Sequence, residues 1–208
     1  MEKYHKYVFD LKKRKLIGKF EKMYVDESIS GFDSWHQEDN SGLDKKICFD
    51  IYESYNFSKV LDIGCGKGSF TQLLKKKNNT VVGIDISKTA IKLASDRYAD
   101  IHFEKIDITK RENLKKMIKN FGIFSLITCF ETLSYINNWK IIIKEFSKMS
   151  DNLLLKLFIP DNPIGFVKSE NELVTEFQKH YCIINHITIN DCKIVILYGK
   201  SKNRRKET

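Results

Sequence analysis

Residues 60–70 read Val60-Leu61-Asp62-Ile63-Gly64-Cys65-Gly66-Lys67-Gly68-Ser69-Phe70. A short β-type run, Lys59 to Ile63, stops abruptly in glycines at alternate positions. Glycines so placed let the chain turn sharply without Cβ clashes. They also let a ligand lie against bare backbone amides at the N-terminus of the following helix. In an open parallel sheet the ligand crevice lies at the carboxyl ends of the strands, where the strand order reverses. The loop is expected at that point.

Downstream, strands and helices alternate. Residues 69–76 are expected to be helical. Further strands are expected over 80–84 (TVVGI), 101–106, 125–130 (SLITCF) and 152–158 (NLLLKLF). Helices are expected over 87–98, near 111–120, over 139–149 and over 170–179. Cys182 to Ile189 and Cys192 to Tyr198 are two strands joined by Asn190-Asp191, a connection short enough only for an antiparallel hairpin. The alternation specifies an α/β fold, a parallel sheet covered by helices on both faces. With the hairpin it becomes a seven-stranded, mostly parallel sheet with an antiparallel last strand.

Upstream, Tyr4, Val8, Leu11, Leu16, Phe20 and Met23 recur at roughly helical spacing, so residues 4–24 are expected to form a helix. Residues 26–41 are polar and read as a loop, although they hold Phe32, Trp35 and His36. A helix is expected over 43–55. The chain thus divides into a single domain over 1–200, with a helical lid at 1–57 and a core at 58–200. Residues 201–208 are expected to be a disordered basic tail.

The 208 residues are 42% hydrophobic, which suits one domain with a real core. The net charge of +9 admits nucleic acid, an anionic membrane surface or acidic small substrates as partners. However, the lysines are scattered, and no aromatic-interleaved patch accompanies Lys12-Lys13-Arg14-Lys15 or Arg204-Arg205-Lys206. That pattern reads as a solvated face, and nucleic acid is not the expected partner. The five cysteines are an odd set without C-x-x-C spacing, which argues against a disulfide framework or a zinc ribbon. No His/Cys/Asp cluster has metal-ligand spacing, and no metal is expected. Met1 to Phe20 is charged throughout, and no apolar run is long enough to span a bilayer, so a cytoplasmic location is expected.

Asp85 ends the second strand, about 20 residues beyond the glycines, where an acidic residue accepts hydrogen bonds from ribose hydroxyls. Ile86 follows it, placed to pack on an adenine face. Asp107 ends the third strand, where its carboxylate can accept from the adenine amino group. Asp62, Asp85 and Asp107 therefore form a series of acidic strand ends. A nicotinamide enzyme would carry G-x-G-x-x-G. Here Gly68 comes one residue early, Ser69 stands at the third position, and the terminal hairpin does not fit that fold.

The segments VLDIGCGKGSF, VVGIDIS, KIDI and SLITCFETL resemble motifs I to IV of the class I S-adenosylmethionine-dependent methyltransferases, over about Ser58 to Lys200. The resemblance implies a Rossmann-like sheet with a reversed final strand. It implies S-adenosylmethionine as cofactor and S-adenosylhomocysteine as product. Asp62, Gly64 and Gly66 would then hold the methionine part, with Cys65 and Gly68 in the same loop. Asp85 would bind the ribose, Asp107 with Ile108 the adenine, and Phe130 would lie beside the sulfonium. Trp35 is grouped with these cofactor residues as part of a lid.

More narrowly, Gly31-Phe32-Asp33-Ser34-Trp35-His36-Gln37 and Cys129-Phe130-Glu131-Thr132-Leu133 are similar to small bacterial methyltransferases of capsule and polysaccharide clusters. Those methylate sugar hydroxyls or a phosphoramidate decoration. The expected acceptor is therefore an oxygen of a capsular polysaccharide precursor, a small molecule or a nucleotide-linked one, handled by a monomer or homodimer. A hydroxyl acceptor would benefit from a general base, for which His36 and Glu131 are the candidates. An ionised phosphoramidate or phosphate oxygen would instead need cationic or donor groups to orient it. His36 reads equally as a surface histidine, and Glu131 as a helix N-terminal carboxylate. Cys65 and Cys129 read as small buried fillers. Two other functions compete. An RNA or nucleotide methyltransferase lacks support from any Asn/Asp-Pro-Pro-Tyr after the fourth strand. A module that binds cofactor without catalysis would show damaged motifs, and these are intact.

Overall fold

The computed structural model describes residues 4–203. In chain order it contains α1 (His5–Val8), β1 (Phe9–Asp10), β2 (Lys15–Leu16), α2 (Phe20–Ser30), α3 (Leu43–Glu53), β3 (Lys59–Ile63), β4 (Thr80–Asp85), α4 (Lys88–Arg97), β5 (His102–Lys105), α5 (Arg111–Phe121), β6 (Leu126–Phe130), α6 (Trp139–Met149), β7 (Asn152–Phe158), α7 (Glu170–His180), β8 (Tyr181–Ile189) and β9 (Ile194–Ser201). The large sheet has the order β5-β4-β3-β6-β7-β9-β8. β3 pairs in parallel with both β4 and β6, so the strand order reverses at the very strand that feeds the glycine loop. β9 runs antiparallel to β7 on one side and β8 on the other. The seven-stranded, mostly parallel α/β architecture is the one the alternation specified, with the reversed strand threaded between its neighbours.

The side-chain period of two sends alternate strand residues to opposite faces. Leu61, Ile63, Ile127, Leu153 and Leu155 pack with Leu114 and Met117 of α5, Phe146 of α6 and Phe177 of α7. Val60, Leu126, Leu154 and Ile196 pack with Cys48, Ile51 and Tyr52 of α3. α6 shows why such a helix forms. Trp139, Ile142, Ile143, Phe146 and Met149 are all buried along one stripe, while Ile141 is exposed. Each such side chain contributes roughly 1.5–3 kcal/mol on burial.

The N-terminal region departs from the expected helix over 4–24. The chain turns back through a two-stranded ribbon, with Arg14 at φ 47° and Gly18 at φ 59°. The N–H groups of Ile17 and Gly18 both donate to the Val8 carbonyl, and Lys19 donates to Tyr7. Val8 in α1 and Met23 in α2 are both buried on either side of the ribbon, so apolar spacing across residues 4–24 could not reveal the break between two helices. α2 also runs on to Ser30, where Gly31 closes it in the left-handed conformation. α3 packs in the layered core through Cys48, Ile51 and Tyr52, while its first turn, with Asp44 and Lys45, joins residues of the 4–41 segment in the wall over the sheet's carboxyl edge.

Two smaller corrections follow. Residues 69–76 carry only a 3₁₀ turn at Thr71–Leu74. The terminal hairpin turns through Asn190–Cys192 and a left-handed Lys193, so Cys192 is a turn residue and β9 starts later than expected. β9 also takes in Ser201, whose hydroxyl donates to the Ser147 carbonyl at 2.7 Å. The expected disorder from 201 thus fails through Asn203, whose amide donates to the Ser147 hydroxyl. Arg204-Arg205-Lys206 lies outside the described residues.

Candidate functional site

The loop after β3 is fixed by two N–H groups, those of Gly64 and Cys65, which share the Ile84 carbonyl at 2.8 and 3.0 Å. Its glycines, all at positive φ, do different things. A Cβ on Gly64 would stand 2.0 Å from Thr132 Oγ1. On Gly66 it would meet Gln37 Oε1 at 2.0 Å and the Tyr24 hydroxyl at 2.8 Å. On Gly68 it would strike the Phe103 ring at 2.9 Å, so that glycine serves helix–strand packing. Gly64 and Cys65 line an inner cavity at the sheet's carboxyl edge. Gly66 and Gly68 shape the loop behind it.

The three acidic strand ends all line this cavity, each in a different state. Asp62 is buried, and its two oxygens accept from Thr71 at 2.6 Å and Thr128 at 2.7 Å. Burial pushes its carboxyl up, against those two hydrogen bonds. Asp85 accepts from the N–H of Gly66 at 3.0 Å and of Ser87 at 2.8 Å. Burial pushes it up to about 6, although the backbone N–H groups of Ser87, Gly66 and Ile86 pull the other way. Asp107 is half-exposed, and one of its oxygens accepts from both the N–H and the hydroxyl of Thr109. Ile86, 46% exposed, and buried Ile108 form apolar surface beside them. Phe130 also lines the cavity, edge-on to Phe70 at 4.8 Å.

The N-terminal wall closes over this edge. Trp35 and His36 sit at φ 55° and 48°, a left-handed pair that non-glycine residues adopt only under constraint. The constraint is visible. The Trp35 indole N–H donates to the Tyr135 hydroxyl at 3.1 Å, and Lys45 donates to the carbonyls of His36, Gln37 and Asp39. Gln37 donates to the Tyr24 hydroxyl and accepts the Lys67 N–H at 3.0 Å. The Lys67 ammonium, in the glycine loop, meets Glu27 at 2.5 Å, Asp33 at 2.8 Å and Glu38 at 3.5 Å. With Gln37 and Tyr24 seated over Gly66, the inner cavity has a volume of about 220 Å³.

A second, outer chamber of about 690 Å³ adjoins the first. Trp35, Lys45, Glu131, Tyr135 and Lys156 line both. Glu131 is held at φ 55°, and one carboxylate oxygen accepts the Phe158 N–H at 2.8 Å. Its other oxygen lies 3.4 Å from the Lys156 ammonium, which pairs with Asp44 at 2.5 Å. Burial acts to lower Lys156, but the Glu131 and Asp44 carboxylates outweigh it and hold the ammonium above its ordinary value. His36 lines the outer chamber and is exposed. It does not reach the inner cavity. The two base candidates thus stand at different depths.

Tyr24, Gln37, Lys45, Thr132, Tyr135 and Lys156 were not singled out from sequence. Lys156 alone carried a local signal, a lysine inside the otherwise apolar run of residues 152–158. Burial pushes the Cys65 and Cys129 thiols up, which suits fillers rather than nucleophiles. Among the described residues no cluster of His, Cys, Asp and Glu could hold a metal ion, and no helix is long and apolar enough to cross a membrane.

The inner cavity offers what a small polar ligand needs. Gly64 lines it together with the buried Ser69, whose hydroxyl has no hydrogen-bond partner among the described residues. Carboxylates and apolar side chains complete the lining.

A family model described as a methyltransferase domain matches residues 56–191. The chain is 33% identical over 119 residues to the ubiquinone biosynthesis O-methyltransferase of Pelagibacter ubique, covering 57% of this chain and 45% of that one. It spans less than half the length of the curated relatives it matches first. Among solved structures, an S-adenosylmethionine-dependent methyltransferase from Anabaena variabilis aligns with a TM-score of 0.73 at 12% identity, over 88% of this chain and 93% of that one. The N-methyltransferase NodS from Bradyrhizobium japonicum, solved with S-adenosylhomocysteine, aligns with a TM-score of 0.66 at 18% identity, over 86% and 98%. At those identities the two structures share its fold.

Proposed function

The chain belongs to the methyltransferase-domain family, and from that premise we propose that it transfers a methyl group from S-adenosylmethionine to an oxygen of a small polar acceptor. The observation that carries this reading is the pair of cavities meeting at Trp35, Lys45, Glu131, Tyr135 and Lys156. One cavity follows the glycine loop and the acidic strand ends, and the other opens outward. Such a junction lets a donor and an acceptor meet.

When bound, S-adenosylmethionine supplies an already activated methyl group on a sulfonium and leaves as S-adenosylhomocysteine. The protein's part is positioning and charge management. Asp85 accepts from the ribose hydroxyls. Ile86, Asp107 and Ile108 hold the adenine. Asp62, Gly64 and Cys65, with the Ser69 hydroxyl, hold the methionine end, and Gly66 and Gly68 keep the loop in shape. Phe130 and Trp35 flank the sulfonium. Glu131, at the junction, takes the proton from an acceptor hydroxyl, while His36 contacts the acceptor further out.

The finer reading is an oxygen of a capsular polysaccharide precursor, free or nucleotide-linked, methylated in the cytoplasm. It is supported by the likeness of residues 31–37 and 129–133 to methyltransferases of capsule clusters, and by an O-methyltransferase among the relatives. Calorimetry with S-adenosylhomocysteine tests the donor site, and absence of binding would overturn the whole reading. Mass spectrometry of free glycosides and nucleotide-linked sugars incubated with protein and S-adenosylmethionine tests the acceptor. A gain of one methyl group on oxygen is the expected result.

A further inference from the structure

We infer that the outer chamber selects an uncharged, hydroxyl-bearing ring, a glycosyl or other polyol unit, over a phosphate-bearing one, and so favours a free glycoside over a nucleotide-linked sugar as acceptor. This rests on the methyltransferase reading above and narrows its acceptor.

The chamber's cations are committed elsewhere. An ammonium has three N–H donors and no acceptor. Lys45 directs its ammonium to three backbone carbonyls, those of His36, Gln37 and Asp39, at 2.8, 3.4 and 2.6 Å. Lys156 faces Asp44 at 2.5 Å and Glu131 at 3.4 Å, and lies 5.7 Å from the centre of the Phe130 ring. At the rim, Arg14 donates to the Asn162 carbonyl and side-chain oxygen. An arriving phosphate would have to break these bonds to gain an ammonium donor.

The chamber also has more carboxylates than ammonium groups. Asp39, Asp44 and Glu131 line it against Lys45 and Lys156. The Ser41 hydrogen bonds to Asp39 and, against its burial, the charge of Lys156 beside Asp44 hold those two carboxyls below their ordinary values. An anion placed among them meets like charge. A hydroxyl can donate to a carboxylate and accept from an N–H, so it can use either kind of group. The two imidazoles on the wall, His5 and His36, can likewise donate or accept toward a hydroxyl.

Much of the remaining wall is apolar. Tyr4, Phe9, Tyr135, Phe158 and Pro160 give ring faces on which the C–H face of a sugar ring can lie. A volume of about 690 Å³ falls within the range of small-molecule sites, roughly 300–1,000 Å³.

The test uses the full chain saturated with S-adenosylhomocysteine, whose binding is first measured by calorimetry. Saturation-transfer NMR then compares methyl glycopyranosides of the gluco, galacto and manno series with the corresponding sugar 1-phosphates and with inorganic phosphate. At least one uncharged glycoside should bind, and its 1-phosphate should bind at least about tenfold more weakly, as one mismatched charge requires. Asp39→Asn, which removes a wall carboxylate that is not paired with Lys156, should narrow that gap. Tighter binding of inorganic phosphate or a sugar phosphate would overturn the inference. So would absence of binding by every glycoside to protein that does bind S-adenosylhomocysteine. Failure to bind S-adenosylhomocysteine would instead sink the methyltransferase reading and this one with it.

Discussion

The backbone N–H of Gly66 donates to a carboxylate oxygen of Asp85 at 3.0 Å, so the glycine loop and the end of β4 act as one unit. Asp85 is nonetheless costly to ionise, because burial raises it from 3.8 to about 6. Between those values the unfolded chain has released the proton and the folded chain still holds it. The contribution of Asp85 to stability therefore falls as pH rises through this window and levels off above about pH 6. Asp85→Asn lacks that slope. From about pH 4 to about pH 8 the stability difference should move in the variant's favour by on the order of 3 kcal/mol. Urea melts of both proteins across the window measure it, and parallel curves would remove Asp85 from this role. Binding of S-adenosylmethionine should strengthen over the same interval, since the ionised carboxylate is the better acceptor for ribose hydroxyls.

Gly64 stands at φ 73°, with Thr132 Oγ1 where a side chain would begin. Gly64→Ala should cost about 1–2 kcal/mol for the left-handed backbone alone, and more for the clash. Gly64→Ala with Thr132→Ala relieves the clash and leaves the backbone term. The double variant should recover part of the loss, by at least about 0.5 kcal/mol of coupling in a denaturant cycle. Strict additivity would show that Thr132 does not press on the loop.

The core strands were legible because buried parallel strands are continuous apolar runs cut off by glycines and acids, a purely local signal. The acidic strand ends followed from the same logic, since each sits where its run stops. The wall was not legible. Val8 ends α1 and Met23 lies in α2, both helical as their spacing suggests, but the ribbon between them breaks the helix, and that choice is made by Gly18 and by bonds to the Val8 carbonyl. Gln37 and Lys45 gain their meaning only from partners distant in the fold or on a neighbouring element, Lys67 and the carbonyls of residues 36–39. Lys156 is the instructive case. A charge in the middle of an apolar strand announced an obligatory partner, but only folding reveals that Asp44, 112 residues away, supplies it.

Lys67 fastens the wall to the glycine loop, and Glu27, its nearest partner, is only 4% exposed. Lys67→Met leaves a buried carboxylate without its cation, a loss of about 3 kcal/mol. The loss should stay local. Amides of residues 22–37 should exchange with deuterium faster while those of β3 and β6 keep their protection. S-adenosylhomocysteine should also associate faster, because Gln37 no longer has a fixed loop to cover. Adding Glu27→Gln should restore part of the protection by removing the stranded charge. Uniform loss of protection across the sheet would mean that the pair supports the whole fold and does not gate the site.

Glu131 and His36 make opposite predictions because they stand at different depths. Glu131 lines both cavities, and its backbone is held at positive φ by the turn after β6, with Phe158 and Lys156 bracing the carboxylate. Glu131→Gln keeps the shape and an acceptor for the Phe158 N–H but cannot take up a proton. Turnover should fall by about 100-fold or more, the usual worth of a general base, with affinity for S-adenosylhomocysteine changed little. His36 lines only the outer chamber, so His36→Ala should act mainly on KM for the acceptor and leave kcat within about threefold. Steady-state kinetics of both variants, with cofactor affinity measured separately, distinguish the roles. If His36→Ala carries the large loss in kcat and Glu131→Gln does not, the proton leaves through the outer wall and Glu131 serves only to brace Lys156.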